Sequence, residues 1–120
     1  MIPDHHRAKA RRIERSLAKL TDADWEVRIE AAMLAATHWV NYTLHRTGVS
    51  DESEDMVHAS MCMVSVLRKY RLAEPLLIAQ LEAIEELRPL HVRGDMEGGA
   101  GAAARALELL DAIGARARAL

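Results

Sequence analysis

The sequence contains no phenylalanine, only 3% aromatic residues, one cysteine and three prolines in 120 residues. Each scarcity excludes something. Few aromatic and β-branched residues leave little from which to build a sheet, so an all-β or α/β domain is not expected. A single cysteine, Cys62, rules out an intramolecular disulfide. The longest apolar runs, such as AAMLAA at 31–36, fall far short of the ~20 residues that cross a bilayer, so no membrane span is expected. The opening MIPDHHRAKARR has no apolar stretch of signal-peptide length, which makes the cytoplasm the expected compartment.

What is abundant is Ala, Leu, Glu and Arg, the strong helix formers. Together with 50% hydrophobic content this predicts one all-α domain over 1–120, an antiparallel, up-and-down bundle of four to five helices. Net charge is −2 but uneven. Residues 1–20 carry six cations (Arg7, Lys9, Arg11, Arg12, Arg15, Lys19) against Asp4 and Glu14, a net +4, which leaves −6 for the remainder. A basic, weakly amphipathic first helix over 3–20, with Ile13, Leu17 and Leu20 inward, is expected to pack on the acidic body. Nucleic acid is not an expected partner, because no aromatic residue interleaves with these cations to stack on bases.

The second helix is the best defined, from about Asp24 to Thr47, a rise of ~35 Å. Its stripe is Trp25, Ile29, Ala32, Met33, Ala36, Val40 and Leu44, with Trp39 close by, and Gly48 fits a left-handed C′ position. Ala31, Leu34 and Ala35 make its back apolar too, so the helix is either central in the monomer or pressed on a second subunit. A homodimer is expected. Ser50–Glu54 reads as the acidic start of a third helix with Met56, Met63, Val64, Leu67 and Tyr70 inward. A fourth follows Pro75, burying Leu77, Ile78, Leu81, Ile84 and Leu87, until Pro89 interrupts it. Gly94, Gly98, Gly99 and Gly101 read as a flexible loop before a last helix over 102–119.

Three groups of residues could carry chemistry. In ELRPLHVRGDMEGG, 86–99, the residues Arg88, His91, Arg93 and Asp95 form a candidate anion or nucleotide site, forked guanidinium donors beside an imidazole; alternatively Arg88 pairs with Glu85 or another acidic neighbour. A second polar cluster is His38, Asn41, Tyr42 and His45, with the two histidines seven apart on one helix face. If the row Glu54, His58, Cys62 faced it, a bundle metal site of His38, His45, Glu54 and His58 would result, of the dimetal or DinB-like type, although the Glu-x-x-His pair of dimetal bundles is absent. Neither metal nor cofactor is the primary expectation. Cys62 and the methionines read as core.

The run AAMLAATHWVNYTLHRTGV, 31–49, with His38 central and Arg46–Val49 at the helix end, resembles the long helix of the HEPN superfamily. LRPLHVRGD followed by ALELLDAI resembles the Arg- and His-containing segment before that family's final helix. The resemblance implies a dimeric helical binding module, for a nucleotide or another anion, or a partner of a nucleotidyltransferase or toxin–antitoxin system. It does not imply catalysis. Ribonuclease members place four to six residues between Arg and His, and here only two separate Arg88 from His91. A non-enzymatic binding protein is the expectation; a divergent ribonuclease is the alternative.

Overall fold

The computed structural model describes residues 1–120, and its regular structure is all helical, with no strand. Five α-helices form the bundle: α1 (Pro3–Leu17), α2 (Trp25–Arg46), α3 (Val64–Ala73), α4 (Pro75–Arg88) and α5 (Gly99–Arg118). No helix is long and apolar enough to cross a membrane.

α2 is the axis of the molecule, flanked by α1, α4 and α5. Its expected stripe is inside, with Ile29, Ala32, Met33, Ala36, Val40 and Leu44 all buried, and so are Ala35, Trp39 and Tyr42 on its other sides. The apolar circumference of α2 is thus consumed within the monomer; of its large apolar residues, Val27 and Leu34 remain exposed. Small residues on the facing helices, Ala103, Ala106 and Ala117 of α5 among them, let the backbones close on one another without phenylalanine to fill the gaps. α4 buries Leu77, Ile78, Leu81 and Ile84, and α5 buries Ala106, Leu110 and Ile113, as their periodicity predicts. Gly48 ends α2 at φ +76°, the left-handed position anticipated for it.

Three expectations are corrected. First, no helix starts at Ser50: residues 51–63 are irregular apart from a 3-10 turn at Ala59–Met61, and α3 begins only at Val64. Local side-chain bonds win over the helix there. The Asp51 carboxylate accepts the Ser53 N–H at 3.3 Å, and the Glu54 carboxylate accepts the Asp51 N–H at 3.1 Å. The Asn41 amide then captures the Met56 peptide from both sides, donating to its carbonyl at 2.7 Å and accepting its N–H at 2.8 Å. Met63 and Val64, expected inward, are exposed.

Second, Pro89 does not break the chain out of helix. Lacking an N–H and crowding the preceding turn, it widens α4 into a π-helical turn, Pro89–Arg93, closed by the Gly94 N–H on the Pro89 carbonyl at 2.9 Å. The irregular stretch therefore shrinks to a short connection at 94–98. Third, the glycines after it are not a flexible loop. Gly98 takes φ +89° as the residue before α5, and Gly99 is already helical, where an added Cβ would sit 2.5 Å from the Trp25 indole.

α1 docks on α2 as expected, but not through charge. Its inward face is His6, Ala10 and Leu17, while Arg11, Arg12, Arg15 and Lys19 stay in solvent and Arg7 pairs with Asp4 of its own helix at 3.0 Å. One polar link between the two helices is the buried Trp39 indole N–H, donated to the Glu14 carboxylate at 2.6 Å. Removing that acceptor leaves a buried donor unsatisfied. Glu14→Ala is expected to lower the unfolding free energy by about 1–3 kcal/mol in a urea titration, whereas Arg11→Ala, on the exposed face, should change it by less than about 0.5 kcal/mol.

Candidate metal centre

His6 lies on α1 in the series His6, Ala10, Ile13, Leu17, the helical spacing that points all four side chains toward α2. His38 and His45 lie on α2 two turns apart and share one face. After α2 the chain reverses at Gly48, which returns Ser50 to the end of the helix, where its hydroxyl meets His45 Nδ1 at 2.7 Å. The turn at Asp51–Glu54 and the Asn41 clamp on Met56 then fix the position between them, Asp55. Three separate segments thus converge on one point.

At that point a single carboxylate oxygen, Asp55 Oδ1, lies 2.9 Å from His6 Nε2 and 2.9 Å from His45 Nε2. The donor atoms of His6, His45 and Asp55 all fall within 4.8 Å of one another. Both imidazoles are buried, with 2% and 0% of their side chains exposed, while Asp55 at 34% forms the solvent edge. His6 Nδ1 continues the chain to His38 Nδ1 at 2.9 Å. The α-amino group of Met1 sits 3.1 Å from the other Asp55 oxygen.

Hydrogen-bond roles are set by the carboxylate, which only accepts. His6 and His45 must each present Nε2–H to it, leaving both Nδ1 atoms as acceptors, one for the Ser50 hydroxyl and one for His38 Nδ1–H. His38 Nε2 makes no hydrogen bond, and His38 stands in the wall of an adjoining pocket. Burial would raise the Asp55 pKa, but hydrogen bonds from His45, His6 and the α-amino group overcome it and hold the carboxyl at about 2. Burial pushes His38 down to about 4, helped by the charge of His6 and Lys9. Burial likewise lowers His6, against the opposing pull of Asp55. An ionised Asp55 and a His6 whose protonation is disfavoured suit a metal ion, which requires deprotonated ligands.

The pocket beside the cluster has a volume of about 310 Å³. His6, His38 and Asp55 stand in its wall, which is otherwise largely apolar, with Met33, Leu34, Met56 and Val57. His45 does not reach it and lies behind the other two ligands.

Of the sequence-predicted residues, His38 and His45 do come together, and Asn41 serves the site by holding Met56. Tyr42 points elsewhere, packing edge-on against Trp39 at 5.8 Å with Arg7 over its ring. Glu54 and His58 are not part of the cluster, because the segment carrying them is not the helix their spacing assumes. Glu54 caps the Asp51 turn, and His58 lies 4.0 Å from Glu85, whose carboxylate accepts the N–H groups of Ala59 and Ser60. Cys62 is half-buried, and burial and the charge of Glu85 raise its pKa, which disfavours the reactive thiolate.

The predicted anion site is not assembled either. Arg88 is taken by Glu30 in a two-point ion pair at 2.7 and 3.2 Å, a partner distant in sequence rather than the neighbouring Glu85. His91 is buried, with Nδ1 against the Met96 carbonyl at 3.1 Å, while Arg93 and Asp95 are exposed. The shallow depression that Arg88 and Arg93 line is shared with Glu82, Glu85 and Glu86, which repel an anion. Sequence reasoning missed His6 and Asp55. His6 was detectable as the residue that extends the α1 stripe one turn toward the N-terminus.

The lowered histidine pKa values fix a pH dependence for the metal-free protein. Below the ordinary value of 6.5 the unfolded chain takes up protons that folded His38 refuses until about pH 4, so protonation favours unfolding across that interval. His6 acts in the same direction. Asp55, at about 2 against 3.8, adds a further loss below pH 3.8. The urea midpoint is expected to fall from pH 6.5 toward pH 4, and less steeply in His38→Gln.

No protein-family model matches the chain, and neither a curated protein nor a solved structure does.

Proposed function

We propose that this protein binds one divalent transition-metal ion at His6, His45 and Asp55. The observation that carries the reading is the convergence of two buried imidazole nitrogens and a carboxylate oxygen, from three separate chain segments, within 4.8 Å. Polar groups inside a helical bundle cost free energy that alanine or leucine at the same positions would not. Each ligating ring also has a partner for its far nitrogen, Ser50 for His45 and His38 for His6, the outer contacts that orient metal-binding histidines. Two nitrogens and one oxygen suit Zn²⁺, Co²⁺, Ni²⁺ or Fe²⁺ better than the oxygen-seeking Ca²⁺ and Mg²⁺. Three protein ligands beside a pocket match a centre with an open position rather than a closed structural one.

The HEPN-like resemblance enters this reading as a second proposal, that the bundle also serves as a partner module. Its support is the exposed apolar surface of Met61, Met63, Val64, Leu72 and Leu76. A second copy on that surface would give the homodimer. Light scattering should then report twice the mass of one chain, and Leu72→Glu should return it to one; a constant mass near one chain at tens of micromolar removes the proposal.

For the metal centre, protein purified without a His-tag is expected to bind Zn²⁺ and Co²⁺ with one-to-one stoichiometry in calorimetry, and Ca²⁺ negligibly. Asp55→Asn keeps size and surface position but removes the charge, and should weaken Co²⁺ binding by more than about 100-fold, beyond the usual loss for an outer contact. Binding unchanged in Asp55→Asn and in His45→Gln alike would reject the assignment and leave the cluster a structural hydrogen-bond network.

A further inference from the structure

The protein ligands of the proposed ion leave room around it for a second molecule, and the inference drawn from that room rests on the metal reading above. The two edges of the ligand triangle that end on Asp55 Oδ1 are both 2.9 Å long. Donors about 2.1 Å from an ion stand about 3.0 Å apart at neighbouring corners of an octahedron and about 3.4 Å apart in a tetrahedron. The site as folded therefore has the spacing of a six-coordinate ion, a geometry that Fe²⁺, Co²⁺ and Ni²⁺ accept. Three corners remain once His6, His45 and Asp55 have taken theirs. Whether the two nitrogens are neighbours or stand opposite, two of the free corners are adjacent. An adjacent pair is what a chelating group needs.

The surroundings select what completes the coordination sphere. His6 and Asp55 border the pocket of about 310 Å³ while His45 lies behind them, so the free corners open into it. The charges at that end are the ion, the Asp55 carboxylate and the α-ammonium group of Met1, which is 3.1 Å from Asp55 Oδ2. The ammonium group has no lone pair, so it adds charge and not a ligand. A divalent ion with Asp55 leaves a net +1, and the ammonium group raises it to +2, so the head of an incoming molecule is favoured as an anion on either count. Glu30 and Arg88, elsewhere on the wall, neutralise each other. Beyond the head the wall is Met33, Leu34, Met56 and Val57, which suits an apolar body.

We propose that the pocket takes a small apolar molecule whose anionic head chelates the ion through two oxygen atoms, as a hydroxamate or an α-hydroxy carboxylate does. Both oxygens occupy free corners of the ion, and the body lies along Met33, Leu34, Met56 and Val57. His38 remains the outer contact of His6 and takes no part in holding the head.

The test uses the full chain loaded with Co²⁺, whose visible bands are weak in six-coordination and intense in four-coordination. Weak bands are expected. Benzohydroxamate should shift them saturably, with the cobalt still on the protein after gel filtration. O-methyl benzohydroxamate, which keeps the ring but cannot chelate as an anion, should leave them unchanged. Acetohydroxamate, the same head without the ring, should bind at least about 10-fold more weakly, the share of a buried phenyl group. Leu34→Ser, on the exposed lip of the pocket, should weaken benzohydroxamate by about 3- to 10-fold through lost apolar contact and leave acetohydroxamate and the ligand-free spectrum as they are. Intense four-coordinate bands, no response to benzohydroxamate, equal affinity for the two hydroxamates, or cobalt lost from the protein to benzohydroxamate would each overturn the inference while the metal centre stands. Absence of Co²⁺ binding in calorimetry removes both.

Discussion

One oxygen atom, Asp55 Oδ1, holds together the part of the molecule that is not ordinary core. It accepts from a ring on α1 and from a ring on α2, and it belongs to the loop that comes after α2, so its two hydrogen bonds tie three segments at a single point. The rest of the region is arranged around keeping that atom there. Asn41 grips the next peptide, Ser50 orients His45, and His38 completes the valence of His6. Satisfying its buried members, His6, His45 and Asn41, is what makes the network tolerable, since a half-satisfied one would cost more than an apolar replacement.

The periphery shows the opposite economy. α3 buries only Tyr70 completely and leaves Val64 and Leu72 in solvent, and its connection to the bundle runs through ion pairs and caps at its borders. Arg71 reaches Glu82, Arg116 of α5 holds Glu74, and Glu85 caps the turn before α3. An exposed pair such as Arg71–Glu82 contributes little stability but fixes orientation. The main packed unit is α1, α2, α4 and α5, and the cluster of His6, His45 and Asp55 sits within it, at the α1–α2 seam.

How much of this is legible in the residues depends on whether their information is periodic. The all-α class and the inward faces of α2, α4 and α5 are legible, because alanine, leucine and isoleucine recur there at helical spacing and nothing local contradicts them. The start of α3 is misread for a physical reason: Ser-Asp-Glu-Ser-Glu is an equally good helix start and a good set of turn caps. Asn41 decides between the two, from the middle of α2, because its amide captures Met56. A tertiary contact of that kind has no signature in a local window. The same error displaces the site, since placing 50–62 on a helix aligns Glu54 with His58 and hides Asp55 among its acidic neighbours. His38 and His45 are legible as a pair; the ring that joins them, His6, is masked by the charge that dominates the N-terminal helix.

That masking bears on what α1 is for. Its cations face solvent, and its inward face is thin, with alanine and leucine contributing modest burial. Beside this apolar packing, the helix is held by two polar contacts, Glu14 with Trp39 and His6 with Asp55 and His38. The second of these is also a ligand to the proposed ion. Docking of α1 and assembly of the His6, His45 and Asp55 cluster are then one event, because without α1 the cluster loses a nitrogen. Any agent that binds only the assembled site favours the docked state by its own binding free energy. The proposed metal site is accordingly a property of the packed α1–α2 pair, and its ligand His6 belongs to the same helix that carries the basic surface.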